Sequence, residues 1–80
     1  MNELSNSLAV NTKLDELVER ITAGVRRRVG GWVRDFQVQI HDEGLILRGW
    51  TRTYYAKQLV QHTAMEVGGL PILANRVEVA

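Results

Sequence analysis

The change of hydrophobic period along the chain constrains its fold more than any other feature. From Phe36 to Trp50, on both sides of an Asp-Glu-Gly turn, apolar and polar residues alternate, which is typical of strands with one buried face. The segments before and after this region repeat their apolar residues every three or four positions, which predicts amphipathic helices. A third alternating segment runs from Leu73 to Val79. The pattern therefore predicts the element order α-β-β-α-β.

The first helix is predicted to begin at Thr12, which suits the N-cap position, and Asp15 completes a capping-box-like start. Gly30-Gly31 ends this helix. Residues 1–11, in which Asn and Ser recur, are interpreted as a flexible N-terminal lead-in, and residues 12–80 as a single domain. The apolar face of the helix comprises Leu14, Leu17, Val18, Ile21, Val25 and Val29.

The second helix is predicted to have Thr51 or Thr53 as its N-cap. Gly69, preceded by Gly68, is interpreted as its structural stop, and Pro71 prevents the helix from resuming. Its inner face comprises Ala56, Leu59, Val60, Thr63, Ala64 and Val67.

The parity of the hairpin restricts the pairing of the first two strands. If Ile40 faces Leu45, both strands place their apolar residues on one side. That pairing requires an even loop, either residues 42–43 or residues 41–44, because an odd loop would rotate one apolar set into water. Gly44 is expected to close the turn with a positive φ.

The third strand completes an α+β fold, with two helices packed on one face of a three-stranded mixed sheet. The helical crossover favours a parallel pairing of the second and third strands, although a third strand beside the first would also satisfy the pattern. Leu73, Asn75 and Val77 are expected to share the buried face, together with Val79. A buried Asn75 would require hydrogen-bond partners.

Composition excludes several classes of protein. The 80 residues include no cysteine, which excludes a disulfide framework and a Cys-based zinc site. No apolar stretch reaches the roughly 20 residues of a membrane span, and the N-terminus lacks the pattern of a signal peptide. A cytoplasmic protein, peripheral to a membrane, is therefore expected. A periplasmic location is the alternative if the sequence is a trimmed piece of an exported protein.

One ordered set of motifs points to a family. It consists of the run EGLILRG at residues 43–49, a helix containing Ala64 and Val67, Gly69-Leu70, and the run NRVEV at residues 75–79. Over residues 14–80 the chain resembles the BON domain, whose pattern is a turn glycine, a strand ending in Leu-x-Gly, a helix, a Gly-hydrophobic stop and an Asn-x-hydrophobic-x-Val strand. In this reading Gly44, Gly49, Gly69 and Asn75 are structural.

The resemblance implies the same α-β-β-α-β fold and no enzymatic activity. It also implies binding to phospholipid surfaces, or attachment and oligomer contacts, without any cofactor. A third implied role is the binding of a small ion, by analogy with a potassium-sensing member of the family. The family has no catalytic motif to transfer to this chain.

A basic and aromatic cluster is the main candidate for binding. The segment from Arg26 to Lys57 carries seven basic and three acidic side chains, whereas the rest of the chain carries three basic and six acidic ones. Arginines are attracted to anionic lipid surfaces, and Trp and Tyr favour the headgroup region. The alternative is a solvated helix end with aromatic residues used in packing. The candidate membrane- or anion-binding residues are Arg26, Arg27, Arg28, Trp32, Arg34, Trp50, Arg52 and Tyr54.

The sequence also bears on partners other than a lipid surface. Exposed Trp, Tyr and Arg are also typical of protein interfaces, so a protein partner or a homo-oligomer using the outer sheet face and an edge strand is the second hypothesis. Nucleic acid is not expected as a partner, since the net charge is +1 and no recognition motif is present. His41 and His62 lack the spacing of metal ligands, so no metal site is predicted.

Overall fold

The computed structural model describes the backbone of residues 2–80 and the side chains of residues 13–80. Helix α1 (Asn2–Val29) leads through a short 3₁₀ turn (Gly30–Trp32) into strand β1 (Val33–His41). Strand β2 (Gly44–Thr51), helix α2 (Tyr54–Gly68) and strand β3 (Ile72–Val79) follow. The predicted element order is confirmed.

Helix α1 starts ten residues earlier than predicted. It begins at Asn2, so Thr12 lies in its interior and is not an N-cap. The sequence permits this extension because residues 1–11 contain neither glycine nor proline, the two residues that most disfavour a helix. The predicted lead-in is therefore helical from Asn2 onward, while Met1 lies outside the described residues.

The three strands form one mixed sheet in the order β1-β2-β3. Strand β1 pairs with β2 in antiparallel fashion, and Ile40 lies opposite Leu45 as the parity argument predicts. Strand β3 pairs with β2 in parallel fashion, so the crossover through α2 places it beside β2 and not beside β1. Both helices pack on one face of this sheet, and we call the opposite face the outer face.

The β1–β2 turn differs from the expectation at Gly44. The loop consists of Asp42 and Glu43, whose φ values are 48° and 61°, whereas Gly44 has no positive φ. A two-residue hairpin loop of this kind places the left-handed conformation on its two central residues. Glycine at position 44 instead makes room for Leu73, because a Cβ there would overlap the side chain of that residue.

Strand β3 also departs from the predicted facing. The register of the parallel pair shifts by one residue between Leu45 and Ile46, so Ile72 lies opposite Leu45 on the helix side. Leu73 instead packs over Gly44 and is 49% exposed, which makes its predicted place on the buried face wrong. The bulged residue allows the strand to resume its alternation from Ala74 onward.

Asn75 connects β3 to α2. Its Nδ2 donates hydrogen bonds to the carbonyl oxygen of Lys57 at 3.2 Å and to Oε1 of Gln61 at 3.1 Å. Its Oδ1 accepts a hydrogen bond from the amide of Val77 at 3.2 Å. The side chain therefore has the partners that a half-buried amide requires.

The core lies between the helices and the sheet. Helix α2 is capped by Thr53, whose hydroxyl accepts from the Ala56 amide, and it ends at Gly69 with a φ of 69°. The two helices approach closely at Gly24, where a Cβ would lie 2.9 Å from Cγ2 of Val67. The buried apolar residues are Ile21, Val25, Val29, Val33, Leu45, Leu47, Ala56, Val60, Ala64 and Val77.

Across residues 2–80, no helix combines the length and the apolar composition that crossing a membrane requires.

Candidate functional site

A cleft of about 630 Å³ opens at the end of the sheet where β1 begins and β2 ends. Its volume falls within the range of about 300–1,000 Å³ that is typical of small-molecule pockets. We call it the tryptophan cleft. The side chains that give it its character are Trp32, Arg34, Asp35, Trp50, Arg52 and Thr53.

A β-bulge builds this cleft. Arg34 lies opposite Trp50, but Gln37 lies opposite Arg48, so Asp35 and Phe36 together face the single residue Gly49. Without the extra residue, strict alternation would place Arg34 on the helix side together with Phe36. The bulge therefore turns the Arg34 side chain to the outer face, next to Trp50.

The bulge depends on its glycine. Asp35 adopts a φ of 54°, and Gly49 opposite it adopts a φ of 151°. A Cβ at position 49 would lie 3.0 Å from the carbonyl oxygen of Arg34 and 3.3 Å from the Cα of Phe36. Because both contacts are with backbone atoms, no side-chain rotation would relieve them.

The aromatic residues at this end remain outside the core. Trp32 is 60% exposed and Trp50 is 46% exposed. Trp32 meets Tyr55 edge to face, with ring centroids 6.5 Å apart, so its position is fixed by one aromatic contact. Tyr54, at the first position of α2, is 63% exposed. Such a group of exposed aromatic rings is typical of a surface that binds a partner.

The arginines differ in their availability. Arg28 donates a hydrogen bond from Nη1 to Oε1 of Glu66 at 2.9 Å, which ties α1 to α2. Arg34 and Arg52 form no salt bridge with any of the described side chains. Arg26 and Arg27 lie exposed in the last turn of α1, a few residues before Trp32.

The structure thus brings four of the eight predicted residues together in one cleft: Trp32, Arg34, Trp50 and Arg52. Arg26, Arg27 and Tyr54 are exposed on neighbouring elements, whereas Arg28 has an internal partner. Sequence reasoning missed Asp35, which also lines the cleft. The only sequence feature that pointed to Asp35 was its position directly after Arg34. The alternating pattern could not predict a bulge there, nor a positive φ at an aspartate.

The histidines and carboxylates of residues 13–80 were candidates for a metal site. Among the side chains of residues 13–80, no group of three or more His, Asp or Glu residues could hold a metal ion. His41 lies 3.3 Å from Asp42 in the exposed hairpin turn, which is consistent with turn chemistry. His62 is exposed on α2.

No protein-family model matches the chain, and searches of curated proteins and of solved structures likewise found no match. The resemblance to the BON domain therefore rests on the sequence motifs alone.

Proposed function

We propose that this chain is a non-catalytic, BON-type binding module that attaches to anionic phospholipid surfaces. The observation that supports this function most is the tryptophan cleft. It gathers, at one end of the molecule, both tryptophans of the chain and two arginines that have no salt-bridge partner among the side chains of residues 13–80. The exposed Arg26 and Arg27 extend the basic character of the same end. Attachment would be peripheral, with the cytoplasmic side of a membrane as the expected location.

Two forces would act together at such a surface. Each arginine near an anionic bilayer contributes about 1 kcal/mol of attraction, and this contribution falls within a Debye length of about 10 Å at 0.1 M salt. The indole rings of Trp32 and Trp50 would add apolar contact at the headgroup level, where tryptophan is favoured. Asp35 opposes the attraction, so binding should be moderate and strongly salt-dependent.

Co-sedimentation with vesicles tests this function. The unmodified chain should pellet with anionic vesicles at low salt, much less at high salt, and hardly at all with neutral vesicles. Arg27→Glu should weaken binding to anionic vesicles about tenfold or more, because it replaces an attractive charge by a repulsive one. Equal pelleting with neutral and anionic vesicles would contradict the proposal.

The matched control is Arg20→Glu. Arg20 is exposed on the same face of α1 and lies two turns earlier, about 10.5 Å along the helix axis. The substitution makes the same change of charge at a greater distance from the tryptophan cleft. It should therefore weaken vesicle binding less than Arg27→Glu does, and equal losses would indicate only a general response to net charge.

Intrinsic fluorescence provides a second readout. Because the chain's two tryptophans both line the cleft, their emission should shift to shorter wavelength when anionic vesicles are added. Pelleting without any spectral change would show that another surface makes the contact.

A protein-interaction role is the second candidate function. The observation that favours it is the outer face, which no element of residues 2–80 covers and which carries the half-exposed Trp50. No cluster of oxygen ligands among the described side chains favours the third hypothesis of small-ion binding over these two.

A further inference from the structure

The outer face carries its side chains in rows that cross all three strands. In the first row Arg34, Trp50 and Glu78 lie side by side, because Trp50 pairs with Arg34 on β1 and with Glu78 on β3. In the second row Gln37, Arg48 and Arg76 lie side by side in the same way. All six residues are exposed.

The second row places two positive charges next to each other. Arg48 and Arg76 are direct partners in the parallel pair, and like charges in such positions are destabilising. Neither arginine forms a salt bridge with any of the described side chains, and Glu78 in the neighbouring row forms none either. The face thus displays both signs of charge in adjacent rows without neutralising them internally.

We propose that the outer face binds the outer face of a second copy of this chain, around a two-fold axis that runs across the strands between these two rows. A rotation about that axis places the first row of one copy over the second row of the other. Arg76 then faces the partner's Glu78, and Arg48 faces the indole ring of the partner's Trp50. The symmetry repeats each contact, so one set of residues forms two ion pairs and two cation–π contacts.

A second copy fits this face better than a lipid or nucleic-acid surface does. The positive charges of Arg34, Arg48 and Arg76 are partly offset by the negative charges of Glu78 and of Asp35 at the bulge. The face as a whole is therefore only weakly basic. An extended anionic surface would leave both carboxylates facing negative charge, whereas the two-fold arrangement gives Glu78 a cationic partner. Sheets that pack face to face lie about 10 Å apart, which leaves room for side chains of this length.

The contact should be weak and reversible. Three strands spaced by about 5 Å and three rows spaced by about 7 Å give an interface on the order of 300 Å² on each copy. The total, about 600 Å² over the two copies, is well below the roughly 1,200–2,000 Å² of standard specific interfaces, so the dimer should be a transient one. Dimers are therefore expected mainly at high protein concentration.

Sedimentation equilibrium from about 10 μM to about 1 mM measures this association. The mass of the unmodified chain should rise from 9.1 kDa toward twice that value with increasing concentration. Arg76→Glu and Glu78→Arg should each raise the dissociation constant about tenfold or more, because each change places like charges across the interface. A chain that stays monomeric at the highest concentration would overturn the proposal.

A mixture of the two variants gives the decisive result. In the Arg76→Glu chain, positions 76 and 78 both carry glutamate, and in the Glu78→Arg chain both carry arginine. Each variant would therefore place like charges opposite each other in its own homodimer. Mixed in equal amounts, they should form a heterodimer at least as tight as the unmodified homodimer, since both facing pairs then carry opposite charges. Absence of this recovery would overturn the two-fold pairing, and a folding defect in either variant could not produce the recovery.

Arg20→Glu is the control for charge alone. It makes the same change as Arg76→Glu but on α1, which packs on the other side of the sheet, and it should leave the dissociation constant within about twofold. The inference does not depend on the proposed lipid attachment. Arg76 and Glu78 do not line the tryptophan cleft, so their variants test dimerisation separately from vesicle binding.

Discussion

Two threonines show how the surroundings of a single residue decide its effect on stability. Thr53 is the N-cap of α2, where its Oγ1 accepts a hydrogen bond from the Ala56 amide at 3.0 Å. Thr63 lies in the same helix but is buried against the core, and its Oγ1 has no hydrogen-bond partner among the residues that the structure describes. A buried hydroxyl without a partner loses its hydration without replacement, which costs free energy.

The same substitution at these two positions should therefore have opposite effects. Thr63→Val keeps the shape of the side chain and removes the unpaired hydroxyl, so it should raise the free energy of unfolding by about 1 kcal/mol. Thr53→Val removes the cap and should lower it by about 1 kcal/mol. Urea denaturation measures both changes as shifts of the midpoint at constant slope. A destabilised Thr63→Val chain would show that the hydroxyl has a partner in solution.

Among the elements, the bulged start of β1 connects the fold to the candidate site. It moves Arg34 from the helix side of the sheet to the outer face, and it requires Gly49 on the opposite strand. Both proposed surfaces use Arg34 or its neighbour Trp50. One irregular position in a strand therefore determines whether either surface is formed.

Gly49→Ala should disturb this element directly. The new methyl group would meet the Arg34 carbonyl oxygen in a backbone conformation that favours glycine, so the free energy of unfolding should fall by about 1–3 kcal/mol. The variant should also bind anionic vesicles less well at temperatures where it remains folded, because Arg34 is displaced. Thermal denaturation and co-sedimentation measure the two effects.

Gly31→Ala is the matched control. Apart from its chain neighbours, no atom of the described residues lies within 4 Å of a Cβ at position 31, and the φ of Gly31 is not positive. This substitution should be neutral or stabilise the chain by up to about 1 kcal/mol, because it restricts the unfolded chain. If both alanine variants lose the same stability, the crowding at Gly49 is not the cause.

The sequence predicted the elements well because hydrophobic period and helix-stop residues act locally. Parity required an even hairpin loop if Ile40 paired with Leu45, and the structure has both that pairing and a two-residue loop. The two bulges could not be predicted in this way, since an extra residue at Asp35 or at Leu73 leaves no trace in composition and shifts every residue beyond it to the other face. The candidate site depends on the first of these bulges, so the sequence indicated its arginines and tryptophans but not their arrangement.

At the scale of the whole molecule, the two proposed surfaces overlap at Arg34, Asp35 and Trp50. The tryptophan cleft lies at one end of the sheet, whereas Arg76 and Glu78 extend the outer face toward β3. A lipid-bound chain and a dimer would therefore compete for the same indole ring. If both proposals hold, anionic vesicles should lower the population of dimers by mass action.

The parallel pairing of β3 with β2 also has a consequence for the order of folding. A two-residue loop connects β1 to β2, whereas the whole of α2 lies between β2 and β3 along the chain. Closing the longer loop costs more chain entropy, so the hairpin should form before the parallel pair. Stopped-flow kinetics should then show that Val38→Ala mainly slows folding, whereas Val77→Ala mainly speeds unfolding. Equal slowing of folding by both substitutions would instead place the parallel pair in the transition state. With the expected result, the release of β3 is the first step of unfolding, and its rate sets the lifetime of the native state.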